Sequence, residues 1–163
     1  MSNLFHSNRS RSILVACTLT TSALLGSGVA QANTCRPWHV ELSAQLSNVV
    51  YYADGNLRYA EATGSGNASY IGAFSMVGVD YFHLPANGMV EIDGDAIFTG
   101  SNGDQIFVNF DGSAIDVTTG VGGGTYVFTG GRGRFEDATG HASFSGFLNP
   151  DGFTVVGDGI LCY

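Results

Sequence analysis

The sequence predicts an all-β domain, an antiparallel barrel or sandwich of about eight or nine strands. Three observations carry that prediction. No stretch beyond residue 32 keeps apolar residues at the 3.6-residue spacing of a helix; alternation with a period of two dominates instead. Turn-forming residues punctuate the chain roughly every 8–14 residues, the rhythm of a sandwich or barrel. Glycine occurs 24 times in 163 residues, roughly twice its average usage, and many glycines fall inside predicted strands, where a barrel bends. That last feature favours the barrel.

The first 32 residues read as an address. Arg9 and Arg11 form a positive start, an apolar stretch runs from Ile13 to Ala30, and Ala30-Gln31-Ala32 fits a signal-peptidase site. Thr18, Thr20, Thr21, Ser22 and Gly26 make the stretch too polar for a permanent span. Leu14-Val15-Ala16-Cys17 looks like a lipobox, but it leaves only Ile13 to Ala16 as apolar lead-in; Cys17 reads as a discarded residue, with its lipidation left open. The division expected is therefore 1–32 signal peptide and 33–163 barrel domain. The protein expected is secreted or periplasmic, with no membrane attachment after cleavage.

Within 33–163 the elements follow in order. Trp38, Val40, Leu42 and Ala44 alternate with His39, Glu41 and Ser43 in a first strand. A short strand over Val49 to Tyr52 ends at Asp54-Gly55-Asn56, and a third runs from Leu57 to Gly64. Ala68 to Ile71 continues into a long strand, Ala73 to His83, in which Phe74, Met76 and Phe82 alternate with Ser75, Val77, Val79 and Tyr81. Pro85-Ala86-Asn87-Gly88 turns the chain into Met89 to Thr99. Ser101-Asn102-Gly103-Asp104 is a hairpin signal, because Asn-Gly tolerates positive φ. Gln105 to Phe110 follows, then a turn at Asp111-Gly112, a short strand from Ile115 to Thr118 and a glycine-rich loop from Gly120 to Gly124. Tyr126 to Thr129, His141 to Leu148 and Phe153 to Cys162 complete the series, with a turn at Asn149-Pro150-Asp151-Gly152.

Cys35 and Cys162 lie at the two ends of the mature chain. In an oxidising compartment an even count suggests pairing, and a Cys35–Cys162 bond would require the first and last strands to be neighbours.

Charge and motif content exclude several functions. The chain carries 14 acidic residues, six Arg and no Lys, a net charge of −8, which disfavours nucleic acid as a partner. His39, His83 and His141 lack metal-ligand spacing, and no GxSxG elbow occurs, so neither a zinc site nor a hydrolytic triad is expected. Glu91, Asp93 and Asp95 offer oxygen ligands without a calcium-loop pattern, and in a strand they share one face. No metal and no cofactor are predicted. Trp38, Tyr52, Tyr81 and Tyr126 are the candidate lining of an apolar pocket.

The segment Gly130-Gly131-Arg132-Gly133-Arg134-Phe135-Glu136-Asp137-Ala138-Thr139-Gly140 is the most distinctive in the chain. It resembles the GGxGRFxxAxG signature of allene oxide cyclase-like barrel proteins, a superfamily that includes the dirigent proteins. Thr99 to Ile106 resembles the NGD hairpin of exported bacterial members, and Val156 to Ile160 their last strand. The resemblance implies an eight-stranded antiparallel, calycin-like barrel, often homo-oligomeric, in which some relatives cyclise or couple small apolar substrates. No catalytic residue is carried over, because Glu41, Glu61 and Glu91 cannot be aligned with the glutamate of the plant cyclases.

Read physically, Gly130, Gly131, Gly133 and Gly140 allow tight backbone paths, Phe135 plugs one barrel end, and Arg134 is a structural clamp with Asp104 or Asp158 as candidate partner. Three functions stay open: a barrel that binds a small apolar molecule, a cyclase or isomerase that shapes its substrate, and a structural or surface-associated protein with a filled barrel.

Overall fold

The computed structural model describes residues 34–54, 56–83, 88–150 and 152–163, and these form a closed barrel of eight antiparallel strands. The expected signal peptide with Cys17, Gly55, the turn residues Pro85 to Asn87, and Asp151 lie outside the described residues. The strands are β1 (Cys35–Tyr51), β2 (Leu57–Ala68), β3 (Gly72–His83), β4 (Met89–Gly100), β5 (Gln105–Asp116), β6 (Val121–Arg132), β7 (Thr139–Asn149) and β8 (Gly152–Cys162). Each pairs with the next, and β8 closes onto β1. That closing seam places Cys35 opposite Cys162, and the two are disulfide-bonded.

Strand alternation decides what the barrel encloses. On β1, Trp38, Val40 and Ala44 are buried while His39, Glu41 and Ser43 are exposed. On β3, Phe74, Met76, Asp80 and Phe82 face inward. The larger core cluster fills the end of the barrel at which β1 begins, with Trp38, Phe74, Phe98, Ile106, Phe128, Phe135 and Leu161 buried there. A smaller cluster of Ala60, Phe82 and Ile92 sits toward the other end.

Four local readings of the sequence are corrected. Val49 to Tyr51 is not a separate strand but the end of β1, reached through an irregularity at Asn48, which has φ +48°. Ala68 to Ile71 does not run into the next strand; the chain turns there, with Tyr70 at φ +69° and the Ile71 N–H donating to the Ser69 carbonyl at 2.9 Å. Asp111-Gly112 is a bulge inside β5, where register with both neighbours slips, so Ile115 belongs to the same strand as Ile106. Gly122 to Gly124 are strand residues of β6, paired with Phe144 to Gly146 on β7. In the last two cases turn-forming residues bend a long strand instead of ending it.

Candidate functional site

A cavity of about 120 Å³ lies inside the barrel between the two core clusters. Its wall is almost wholly apolar: Leu42, Met76, Phe98, Val108, Phe110 and Phe144 contribute side chains to it. The glycines and alanines that also line it, among them Gly78, Ala96, Gly122 and Gly123, leave the space unfilled. Toward the end at which β1 finishes, a second depression of about 460 Å³ is bordered by Leu46, Val49, Leu57, Val90 and Val117. Phe82, Ile115 and Leu148 border both, so the depression is the mouth of the cavity.

Among the described residues, three buried polar side chains interrupt the apolar wall. Asp80 on β3 is only 7 % exposed, and its carboxyl has no hydrogen-bond or ionic partner among the described residues. Burial pushes its pKa up to about 7, so the group is a neutral acid through the mildly acidic range. Ser113 on β5 is 3 % exposed, and its hydroxyl also lacks a partner among the described residues. Tyr126 on β6 does have one: the Trp38 indole N–H donates to its hydroxyl at 2.6 Å. Burial raises the Tyr126 pKa well above the ordinary phenol range, while the Trp38 hydrogen bond acts in the opposite sense.

The structure distributes the four candidate pocket aromatics differently. Tyr126 lines the cavity. Trp38 lies in the core behind it, edge-on to Phe128. Tyr52 sits at the mouth end, where its hydroxyl donates to the Phe82 carbonyl at 3.5 Å and Arg58 stacks on its ring. Tyr81 is corrected: it is on the outer wall, 47 % exposed and packed on Tyr59, because it has the opposite strand parity to Asp80 and Phe82.

The Gly130 to Gly140 segment closes the end opposite the mouth. Phe135 is fully buried in a short 3₁₀ turn, Gly133–Phe135, and packs on Tyr163. Arg134 reaches over it: Nη2 donates to the Tyr70 carbonyl, Nε lies 3.0 Å from Asp104 Oδ2, and the guanidinium covers the Phe135 ring. Gly133 has φ +67°, and a Cβ there would collide with the Asp104 carboxylate, so a side chain is excluded on both counts. Asp158 is not a partner of Arg134. It lies on the outer wall, where His39 Nδ1 is 2.8 Å away, and it is the leading cause of a raised His39 pKa, ahead of Glu41.

Other carboxylates also lie outside. Glu41, Glu61 and Glu91 are on the outer face of their strands, with Glu61 bound by Asn48 and Tyr59. Asp93 accepts from the Gly112 N–H, which is the main cause of its lowered pKa, and pairs with His83 at 2.9 Å. Among the described residues no group of three His, Cys, Asp or Glu side chains converges as a metal site. No helix among them is long and apolar enough to cross a membrane.

Asp80 and Ser113 were missed by sequence reasoning. For Asp80 the signal was present, since the Phe74, Met76, Phe82 alternation puts residue 80 on the inner face. For Ser113 it was not, because the bulge at Gly112 shifts the parity that would have located it.

Two solved structures share this architecture. The pterocarpan synthase dirigent protein GePTS1 superposes with a TM-score of 0.55 at 14 % identity, over 90 % of this chain and 99 % of that one. The pterocarpan synthase dirigent protein PsPTS1 gives 0.53 at 11 % identity, over 82 % and 97 %. At these identities the likeness is one of fold. No protein-family model and no curated protein matches the sequence.

Proposed function

We propose that this chain is an exported barrel protein of the dirigent and allene oxide cyclase-like group, and that it holds one small, largely apolar molecule in the barrel. The observation that carries the reading is the cavity of about 120 Å³ with an apolar wall, a mouth and a solitary carboxyl. Small-molecule sites have this character: apolar surroundings, with a few polar groups that fix orientation. The dirigent likeness supports the same reading, and the disulfide fits an oxidising compartment.

The test is native mass spectrometry of protein purified from its own source, looking for a retained small molecule and the oligomer mass. Ala96→Leu, which projects three further carbons beyond Cβ into the cavity, is expected to abolish retention. A wild-type barrel that retains nothing, and that binds no apolar probe added in solution, would overturn the reading.

Asp80 favours a second reading, a cyclase or isomerase that shapes its substrate. A carboxyl kept neutral by burial is a proton donor beside whatever occupies the cavity. Turnover of an added epoxide or polyene, lost in Asp80→Asn, would distinguish catalysis from binding. A filled structural barrel, the third function open from the sequence, does not fit the cavity.

A further inference from the structure

The polar groups facing the cavity define more about its occupant than apolar volume alone. Asp80 and Ser113 are both more than nine-tenths buried, both border the same cavity, and neither has a partner among the described residues. A buried polar atom left unpaired is costly, as the Ser113 Oγ is, and a carboxyl without a protein partner in the same cavity calls with it for a common partner. Their positions differ. Asp80 is on β3, opposite Gly94 of β4; Ser113 is on β5, opposite Ile92 of β4. They are therefore separated at the backbone by two strand spacings across the sheet, about 10 Å, and by two residues along it, about 7 Å. The Ser113 hydroxyl also has a place made for it: a Cβ at Gly124 on β6 would collide with its Oγ.

We propose that the cavity selects a neutral, ring-sized molecule with a polar group at each end, one hydrogen-bonded by the Asp80 carboxyl and the other by the Ser113 hydroxyl. This rests on the reading of the barrel as a binding protein. Size follows from volume: a cavity of about 150 Å³ accommodates benzene, and this one measures about 120 Å³. Neutrality follows from the wall while Asp80 is protonated: no cationic side chain among the described residues borders the cavity to pair with an anion, and a neutral Asp80 has no charge to pair with a cation. Both ends accept hydrogen bonds when Asp80 is protonated, because the carboxyl and the hydroxyl each have a proton to give.

Three ring probes of similar size test this at about pH 5.5, below the Asp80 titration: cyclohexane, cyclohexanone and 1,4-cyclohexanedione. Polar probes lose more on leaving water, so a wall without donors would rank cyclohexane first. The site proposed reverses that order, each added carbonyl tightening binding by roughly tenfold, the factor for one net hydrogen bond. Ser113→Ala should erase the advantage of the dione over the ketone. Asp80→Leu should erase the advantage of the ketone over cyclohexane, and Asp80→Asn, whose amide also donates, should restore it. If a variant fails to fold, the wild-type order decides. Equal binding of all three probes, or cyclohexane ranked first, would overturn the two-ended site and leave the binding protein standing. Binding of none of them would overturn both.

Discussion

The Trp38 indole and the Tyr126 hydroxyl meet inside the barrel at 2.6 Å, although they stand 88 residues apart in the chain. Trp38 belongs to β1 and Tyr126 to β6, so β8 and β7 lie between them in the sheet. The bond satisfies the single donor of the largest fully buried side chain among the described residues and fixes the ring that forms one wall of the cavity. Tyr126→Phe keeps the ring and orphans the indole N–H. The expected loss is about 1–3 kcal/mol, the cost of an unsatisfied buried donor. Urea unfolding checks it, and a Phe variant as stable as the parent would show that the bond contributes nothing.

Arg134 and Asp104 are predicted to be energetically coupled. Arg134 joins three turns at the closed end: Tyr70 between β2 and β3, Asp104 between β4 and β5, and its own segment before β7. The Arg134 side chain is 47 % exposed, so solvent screens the ionic part. A double-mutant cycle of Arg134→Ala with Asp104→Ala should give a coupling of about 0.5–1 kcal/mol. Arg134→Lys should recover little of it, since an ammonium cannot serve the carbonyl and the carboxylate with a rigid fork. Strict additivity in thermal melts would refute the clamp.

The closed end was easier to read from sequence than the cavity, and the reason is physical. Turn chemistry is local: Asn102-Gly103 sets its hairpin through residues adjacent in the chain, and the Asp104 N–H donates to the Asn102 side chain at 3.1 Å. Simple alternation likewise placed Trp38, Val40 and Ala44 inside correctly. The cavity depends on parity carried through long strands, and each bulge resets that parity. Reading Asp111-Gly112 as a turn and Gly120 to Gly124 as a loop cut β5 and β6 short and hid Ser113 and the glycine wall. Tyr81 was misplaced for a different reason. Aromatic content suggested a pocket lining, whereas position along β3 decides the face.

Reduction of the Cys35–Cys162 bond is predicted to destabilise the barrel through the unfolded chain. The two cysteines are 127 residues apart, so the bond constrains nearly the whole domain. Loop-closure entropy for ~100 residues or more gives roughly 4–5 kcal/mol, with measured values often smaller. Cys35→Ser with Cys162→Ser should lower the melting temperature while leaving the β-sheet circular dichroism signature unchanged, because β1 and β8 remain paired over Trp38 to Ala44. A melting temperature unchanged by reduction would show that the denatured chain gains nothing when it is opened.

Stability should fall as pH rises through the titration of Asp80. Its pKa is about 7 in the folded barrel against an ordinary 3.8, and burial is the cause. Between those values the folded state binds the proton that the unfolded state releases, so each increment of pH favours unfolding. The contribution is absent below about pH 4 and complete above about pH 7, where it amounts to about 4 kcal/mol as an upper bound. Asp80→Asn holds a neutral group of the same shape at every pH. It should match the parent near pH 4 and exceed it increasingly toward pH 8, with the two curves diverging over that window. The comparison with Asn isolates Asp80 from the surface carboxylates, such as Asp93, whose lowered pKa has the opposite effect: stability lost as pH falls. Parallel curves for parent and variant in chemical denaturation across pH 4 to 8 would mean that the carboxyl is solvated in the folded state, and the buried acid of the cavity would have to be abandoned.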